Sequence, residues 1–230
     1  MTHVVLASTS PSRLEILRTT GITPQVVGSH VDEDAIEAAH GNTPIRDLAQ
    51  VLARAKGEAV VARLLDGSVP VVPTVDGRGE PTTLVLFASD SILELDGRAI
   101  GKPHTPEATR EVWTAMGGRA ADLHTGHFVA RLDRESPTTP WSLTSTAEAP
   151  ATSRIHTVRP SPAELEAYIA TAEPFEVAGA LTIDGYGGAF VSRIEGDHHN
   201  VIGLSLPVLR DLVTSLGLFW PSLWDVHSRQ

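Results

Sequence analysis

The stretch Val4–Ile22 reads VVLASTSPSRLEILRTTGI. Its apolar β-forming start gives way to small polar residues and then to a helix pattern, so it predicts a strand, a short loop and a helix in direct succession. Ser10 suits a helix N-cap and Pro11 the first helical position. A helix start presents unpaired N–H groups and a partial positive charge, which together attract anions. Ser8, Thr9 and Ser10 add hydroxyls there, and Arg13 adds a cationic fork one turn in. This is the composition of a phosphate cradle. The same residues would also serve a well-capped helix on an ordinary βα loop, and the stretch alone leaves both readings open. The glycine-rich Walker and dinucleotide fingerprints are absent.

Strand and helix patterns alternate through the rest of the chain, with antiparallel hairpins mixed in, which predicts an α/β fold with a mixed sheet. PQVVGSHV (24–31) reads as a second strand. Thr43 and Pro44 open a long helix with Ile45, Leu48, Leu52, Ala55 and Ala59 along one stripe and Lys56 at its edge. Leu84–Ala88 reads as a strand with Asp90 at its polar end, and Asp96-Gly97 is a hairpin signal. Thr105-Pro106-Glu107 opens a helix that stops at Gly117-Gly118. LHTGHFVARL (123–132) reads as a strand, as does AFVSRI (189–194), and Ser161–Glu164 as a capping box. A last helix carries Val208, Leu209, Leu212, Val213 and Leu216. Residues 64–83 and 133–151, rich in Pro and polar residues, read as two excursions from the fold.

The 230 residues carry a net charge of −10, which argues against a nucleic-acid polymer as partner, since such binding runs on clustered Lys and Arg. A small anion needs only a few cations. No apolar run reaches membrane-spanning length, and the strand pattern begins within three residues, so neither a membrane span nor a signal peptide is expected. Cysteine is absent, which excludes disulfides and thiolate metal sites. The chain reads as cytoplasmic.

Of 18 basic residues only two are lysines, Lys56 and Lys102. A compact, flexible ammonium fits a phosphate oxygen in a confined site where a wide planar guanidinium does not, so these two stand out as candidates. Among the acids, VDED supplies Asp32, Glu33 and Asp34; Asp90 and Asp197 stand elsewhere. A carboxylate beside a phosphate cradle holds a divalent metal or takes a proton from water; Asp90 also fits a turn-forming role. Ten histidines invite a metal reading, but His198 and His199 would face opposite ways on a strand, as would His124 and His127. Neither H-E-x-x-H nor G-x-S-x-G occurs.

Taken in order, these stretches resemble the Maf family of nucleotide pyrophosphatases. LASTSPSRLEILRTTGI looks like the family's opening signature, VDE its acidic motif, and LARAKGEAV its helix with an inward lysine. SDSILELDGRAIGKP is similar to its aspartate–hairpin–G-K-P segment, and VAGALTIDGYGGAFVSRIEGD and NVIGLSLP to its closing elements. Both lysines of the chain fall on motif lysines. The resemblance implies a Maf/ITPase-like fold: one domain over residues 1–230, a mixed β-sheet with flanking helices, and two lobes around a central cleft, usually as a homodimer. It also implies hydrolysis of a nucleoside triphosphate between the α and β phosphates, with Mg2+ or Mn2+, to remove unwanted nucleotides from the pool.

Carried onto this chain, the resemblance gives Ser8, Ser10 and Arg13 as phosphate-binding residues and Asp90, Glu33, Lys56 and Lys102 as catalytic, with Glu33 and Asp90 as metal ligands. Whether Asp90 acts as base or as metal ligand stays open. Ser12, Ser91 and Asp184 occupy the positions that select the base, where relatives acting on dTTP and UTP carry Arg, Thr and Gln. Asp184 offers only acceptors and so favours a base edge with N–H donors, such as guanine. Ala121 replaces a usual histidine. A nucleotidyltransferase breaking the same bond, and a nucleotide-binding regulator of cell division without turnover, are the competing readings. The transferase signature has a glycine-rich loop, which this chain lacks between Leu6 and Arg13.

Overall fold

A computed structural model describes residues 2–72 and 80–225. Seven strands form one mixed sheet: β1 (Thr2–Leu6), β2 (Gln25–Val26), β3 (Thr83–Leu95), β4 (Arg98–Ile100), β5 (Ala120–Asp133), β6 (Ser142–Thr157) and β7 (Val191–Glu195). Their order is β2-β1-β3-β5-β6-β7, with β4 paired on β3; β1 runs parallel to β2 and β3, and the other pairs are antiparallel. The helices are α1 (Pro11–Thr19), α2 (Glu33–Ala39), α3 (Ile45–Leu65), α4 (Pro106–Met116), α5 (Pro162–Ala170), α6 (His198–Ile202) and α7 (Leu206–Ser215). The α/β fold with a mixed sheet and flanking helices is the one expected.

The alternation of side chains along β1 and β3 creates the two faces of the sheet. Val4, Leu6, Val85 and Phe87 pack with Leu17 of α1 and Leu209 and Val213 of α7. Val5, Leu84, Leu86 and Ala88 pack with Val60, Val61 and Leu64 of α3 on the opposite face. A further core lies along the later part of β3, where Leu93 and Leu95 meet Trp113, Met116, Leu123, Ile155 and Tyr168. The long strands β3, β5 and β6 thus run through more than one core.

Several expectations change. β3 does not stop before Asp90 but runs 13 residues through it. Asp90 therefore sits mid-strand, opposite Gly126 of β5. The excursion at 133–151 shrinks, because β6 begins at Ser142 and pairs with β5 almost throughout. Most of β6 is exposed or half-buried, so it needs no apolar alternation; among the described residues β7 covers its outer edge from Arg154 to Thr157, which leaves Pro150 at an open edge. In the other excursion, Leu64 and Leu65 end α3 and Thr83 opens β3; residues 73–79 lie outside the described residues. The second strand is only Gln25–Val26, and residues 186–190 form a 3-10 turn before β7. Asp96 and Gly97 both take positive φ, 52° and 75°, as a two-residue hairpin requires.

Gly126 lets α3 lie close on the sheet. A Cβ there would stand 2.3 Å from the Ala49 carbonyl oxygen and 2.5 Å from the Gln50 Cα, both backbone atoms that cannot step aside alone. Gly126→Ala is expected to push α3 off β5 and cost about 3 kcal/mol, read as a lowered urea midpoint.

Candidate active site

The period of two in β3 splits Ser89-Asp90-Ser91 between the sheet's faces. Ser89 and Ser91 point to the side of α1, and Asp90 to the side of α3, so one tripeptide serves both halves of the site.

On the α1 side, Ser10 is the N-cap, with φ −64° and ψ 121°, and its hydroxyl accepts from the Arg13 N–H at 3.5 Å. Pro11 takes the first helical position. The Arg13 guanidinium is fastened on three sides. Its Nε donates to the Gly203 carbonyl at 2.8 Å, one terminal nitrogen to Ser8 Oγ at 3.3 Å and the other to Ser91 Oγ at 3.1 Å. Burial pulls the Arg13 pKa down, while the carboxylates of Asp90 and Glu33 oppose that shift. A half-buried guanidinium with two N–H groups beyond those three bonds is a pre-oriented anion clamp. Ser91, at a position expected to select the base, has its hydroxyl engaged by Arg13 and by Thr125 Oγ1 at 2.9 Å.

On the α3 side, Lys56 lies within the buried stripe, not at its edge. It follows Leu52 and precedes Val60 at four-residue spacing, all three buried. Its Nζ donates to Asp90 Oδ1 at 2.5 Å and lies 2.9 Å from Glu33 Oε2. The Lys56 and Asp90 side chains are 9% and 12% exposed, whereas Glu33 is 49% exposed, so the pair is sealed on the sheet side and open on the Glu33 side. Asp32 caps α2 by accepting from the Ala35 N–H at 3.0 Å, which sets Glu33 in the first turn. Glu37, one turn beyond Glu33, joins this acidic group. Burial raises its pKa first, and the charges of Asp90, Asp34 and Glu33 raise it further. Sequence reasoning missed Glu37, although its four-residue spacing from Glu33 was the available signal.

The remaining candidates lie apart from these contacts. Lys102 is exposed beyond β4, which the hairpin folds back along β3; among the described residues it forms no ion pair. Ser12 is half-buried on α1. Asp184 is exposed in a loop that Glu173 ties down by accepting from the Tyr186 and Gly187 N–H groups, both at 2.9 Å.

Behind Arg13, the turn holding Gly203 is set by a histidine. His127 Nε2 accepts from the Ser205 N–H at 2.8 Å, so its proton sits on Nδ1, which donates to the Ala149 carbonyl at 3.2 Å. Burial, assisted by the Arg13 charge, pushes the His127 pKa down to about 4. The unfolded chain then binds this proton from its ordinary value of 6.5 downward, while the folded chain resists until about 4. Stability is therefore unaffected by this group above pH 6.5 and falls as pH drops from 6.5 to 4, by about 3 kcal/mol in all. Urea midpoints measured across that window should fall more steeply for wild type than for His127→Gln.

Asp90 and Glu33 converge on one cation, the Lys56 ammonium, and offer only carboxylate oxygens. That donor chemistry fits a hard dication such as Mg2+ or Mn2+, which takes one or two carboxylates and completes its shell with water and phosphate. Phosphate-oxygen donors on one side, an ammonium and carboxylates on the other: the arrangement suits a polyphosphate ester.

The family of Maf-like proteins matches residues 3–216. A nucleoside triphosphate pyrophosphatase of Leifsonia xyli is 44% identical over 227 residues, covering 97% of each chain. Proteins of the same name from Mycobacterium marinum and Nocardia farcinica are 41% and 43% identical, covering 97% and 98% of each chain. The match spans the cradle, the Lys56 helix and the turn that holds Arg13, and the chain belongs to the Maf family.

Proposed function

We propose that this chain is a nucleoside triphosphate pyrophosphatase, converting a nucleoside triphosphate and water into the monophosphate and diphosphate. The observation that carries the reading is the Lys56 ammonium held between Asp90 and Glu33 beside the Arg13-anchored start of α1. The names of the relatives support it.

In this reading Ser8, Ser10 and Arg13 hold phosphate oxygens, and Lys56 and Lys102 neutralise the charge that builds on the departing diphosphate. Water attacks the α phosphorus, the bond to the bridging oxygen breaks, diphosphate leaves with that oxygen, and the water's proton passes to Asp90. A Mg2+ or Mn2+ ion, held by Glu33 and Asp90 when bound, screens the triphosphate charge. Ser91 acts through Arg13 by fixing the guanidinium plane. Two lobes of a single domain would enclose the substrate between the cores built on β3, and the enzyme works as a cytoplasmic homodimer in this reading. Among the described residues no helix is long and apolar enough to cross a membrane.

The test is incubation with a panel of triphosphates and Mg2+ or Mn2+, with diphosphate and orthophosphate quantified separately. Diphosphate in step with monophosphate supports the reading; orthophosphate, or no turnover without an added acceptor, contradicts it and favours a transferase or a binding protein. The same panel tests base choice. Asp184→Gln should shift the ranking of kcat/KM away from guanine, and an unchanged ranking removes Asp184 from base recognition.

A further inference from the structure

His198 and His199 lie on a helix and not on a strand, so strand alternation does not set them on opposite faces. They form the first turn of α6, with Asp197 as its N-cap, and their ring centroids lie 3.8 Å apart with the planes inclined at 40°. His198 Nδ1 and His199 Nδ1 stand 3.9 Å and 3.6 Å from Asp197 Oδ1. These separations are too long for hydrogen bonds, so three polar groups converge without satisfying one another. One ligand atom from each lies within 4.8 Å of the others. A second observation is independent of that convergence: Asp197 Oδ2 is buried and has no hydrogen-bond partner. A buried carboxylate oxygen left without a donor is costly and calls for an explanation.

We propose that Asp197, His198 and His199 form a second metal site, distinct from Asp90 and Glu33, for a borderline dication of the Zn2+ class. Two imidazole nitrogens and one carboxylate make the three-ligand set of a zinc site with an open position, and they are a poor set for Mg2+. At bond lengths of about 2.0–2.1 Å the ligand atoms of a tetrahedral shell stand about 3.4 Å apart, which small side-chain rotations here achieve. The cap itself is rigid, because the Asp197 carbonyl accepts from Ser153 Oγ at 2.7 Å and its Oδ1 from the His199 N–H at 3.0 Å. A cleft of about 600 Å³, walled by Trp220 and Trp224, faces the three residues and leaves room for a water or an outside ligand in the fourth position.

The site also connects to Arg13. The carbonyls of His199 and Asn200 both accept from the Gly203 N–H at 3.0 Å, and the Gly203 carbonyl holds Arg13 Nε. Metal at the start of α6 therefore braces the turn that orients the anion clamp.

Zn2+ binding is measured by competition with a chromophoric chelator, and Co2+ binding by its visible d–d absorption. The protein is wild type, a Glu33→Gln/Asp90→Asn double variant and a His198→Asn/His199→Asn double variant. His198 is 62% exposed, so the histidine variant should fold; its circular dichroism and metal-free Tm are recorded alongside. The carboxamide variant should take up one equivalent, and its nitrogen-ligated Co2+ spectrum should match the one wild type shows. The histidine variant should bind at least about 100-fold more weakly, since loss of even outer partners of a metal costs up to that much. Equal binding by the histidine variant, or loss of that spectrum only in the carboxamide variant, overturns the proposal. So does a wild type that takes up no Zn2+ at micromolar concentration. Because diphosphate release plays no part in the readout, this result is separate from that of the hydrolysis assay.

Discussion

Asp90→Asn is expected to lower kcat/KM about a thousandfold, within the range that positioned proton acceptors contribute, and to leave KM within a few-fold of wild type. The amide keeps the shape of the side chain and can still accept from Lys56 through its carbonyl oxygen, so the strand and the buried pair persist. What it loses is the capacity to take a proton. The neighbouring Ser89 and Ser91 face the other side of the sheet, and Ser89 is bonded to the Gly203 carbonyl at 3.1 Å, so neither substitutes as a base. A loss of tenfold or less, with diphosphate still formed, would remove Asp90 from proton transfer. Urea midpoints of the two proteins distinguish lost chemistry from lost fold.

Lys56→Met is expected to reduce kcat by about 100- to 1,000-fold, the scale set by removing one preorganised cationic or donor group from a developing charge. Methionine retains the length and apolar stem that pack between Leu52 and Val60, so α3 keeps its seat. Asp90 and Glu33 then face each other with no cation between them. Breaking one side of a buried pair costs about 3 kcal/mol. Lys56→Arg should not restore activity, because the ammonium sits as a point charge 2.5 Å from one carboxylate and 2.9 Å from the other, a space a planar fork does not fill in the same way. Full activity in the arginine variant would show that charge alone is required. Rates and midpoints for both variants decide the matter.

Much of this site was legible in the sequence because its parts are local. Ser10 and Pro11 announce a helix start by their own backbone chemistry, and the structure places both where that chemistry puts them. The scarcity of lysine singled out Lys56, although its depth within the stripe became visible only once α3 lay on the sheet. Asp90 was harder. Ser-Asp-Ser has weak strand propensity, and the strand continues through it because β5 pairs residue by residue alongside, a long-range fact. β6 was hidden because its faces are mostly exposed or half-buried, so it needs no apolar alternation. His198 and His199 were misread because the short helix that turns them together follows from the Asp197 cap, whose role depends on where the chain leaves β7. Nor could spacing show that Ser91 binds Arg13, since 78 residues separate them.

The most direct measurement of the central claim is single-turnover hydrolysis in 18O-enriched water, with mass analysis of both products. Attack on the α phosphorus beside Asp90 places one 18O atom in the nucleoside monophosphate and none in the diphosphate. Label in the diphosphate would mean attack on the β phosphorus, and would contradict the assignment of Asp90, Lys56 and the α1 cradle to their roles.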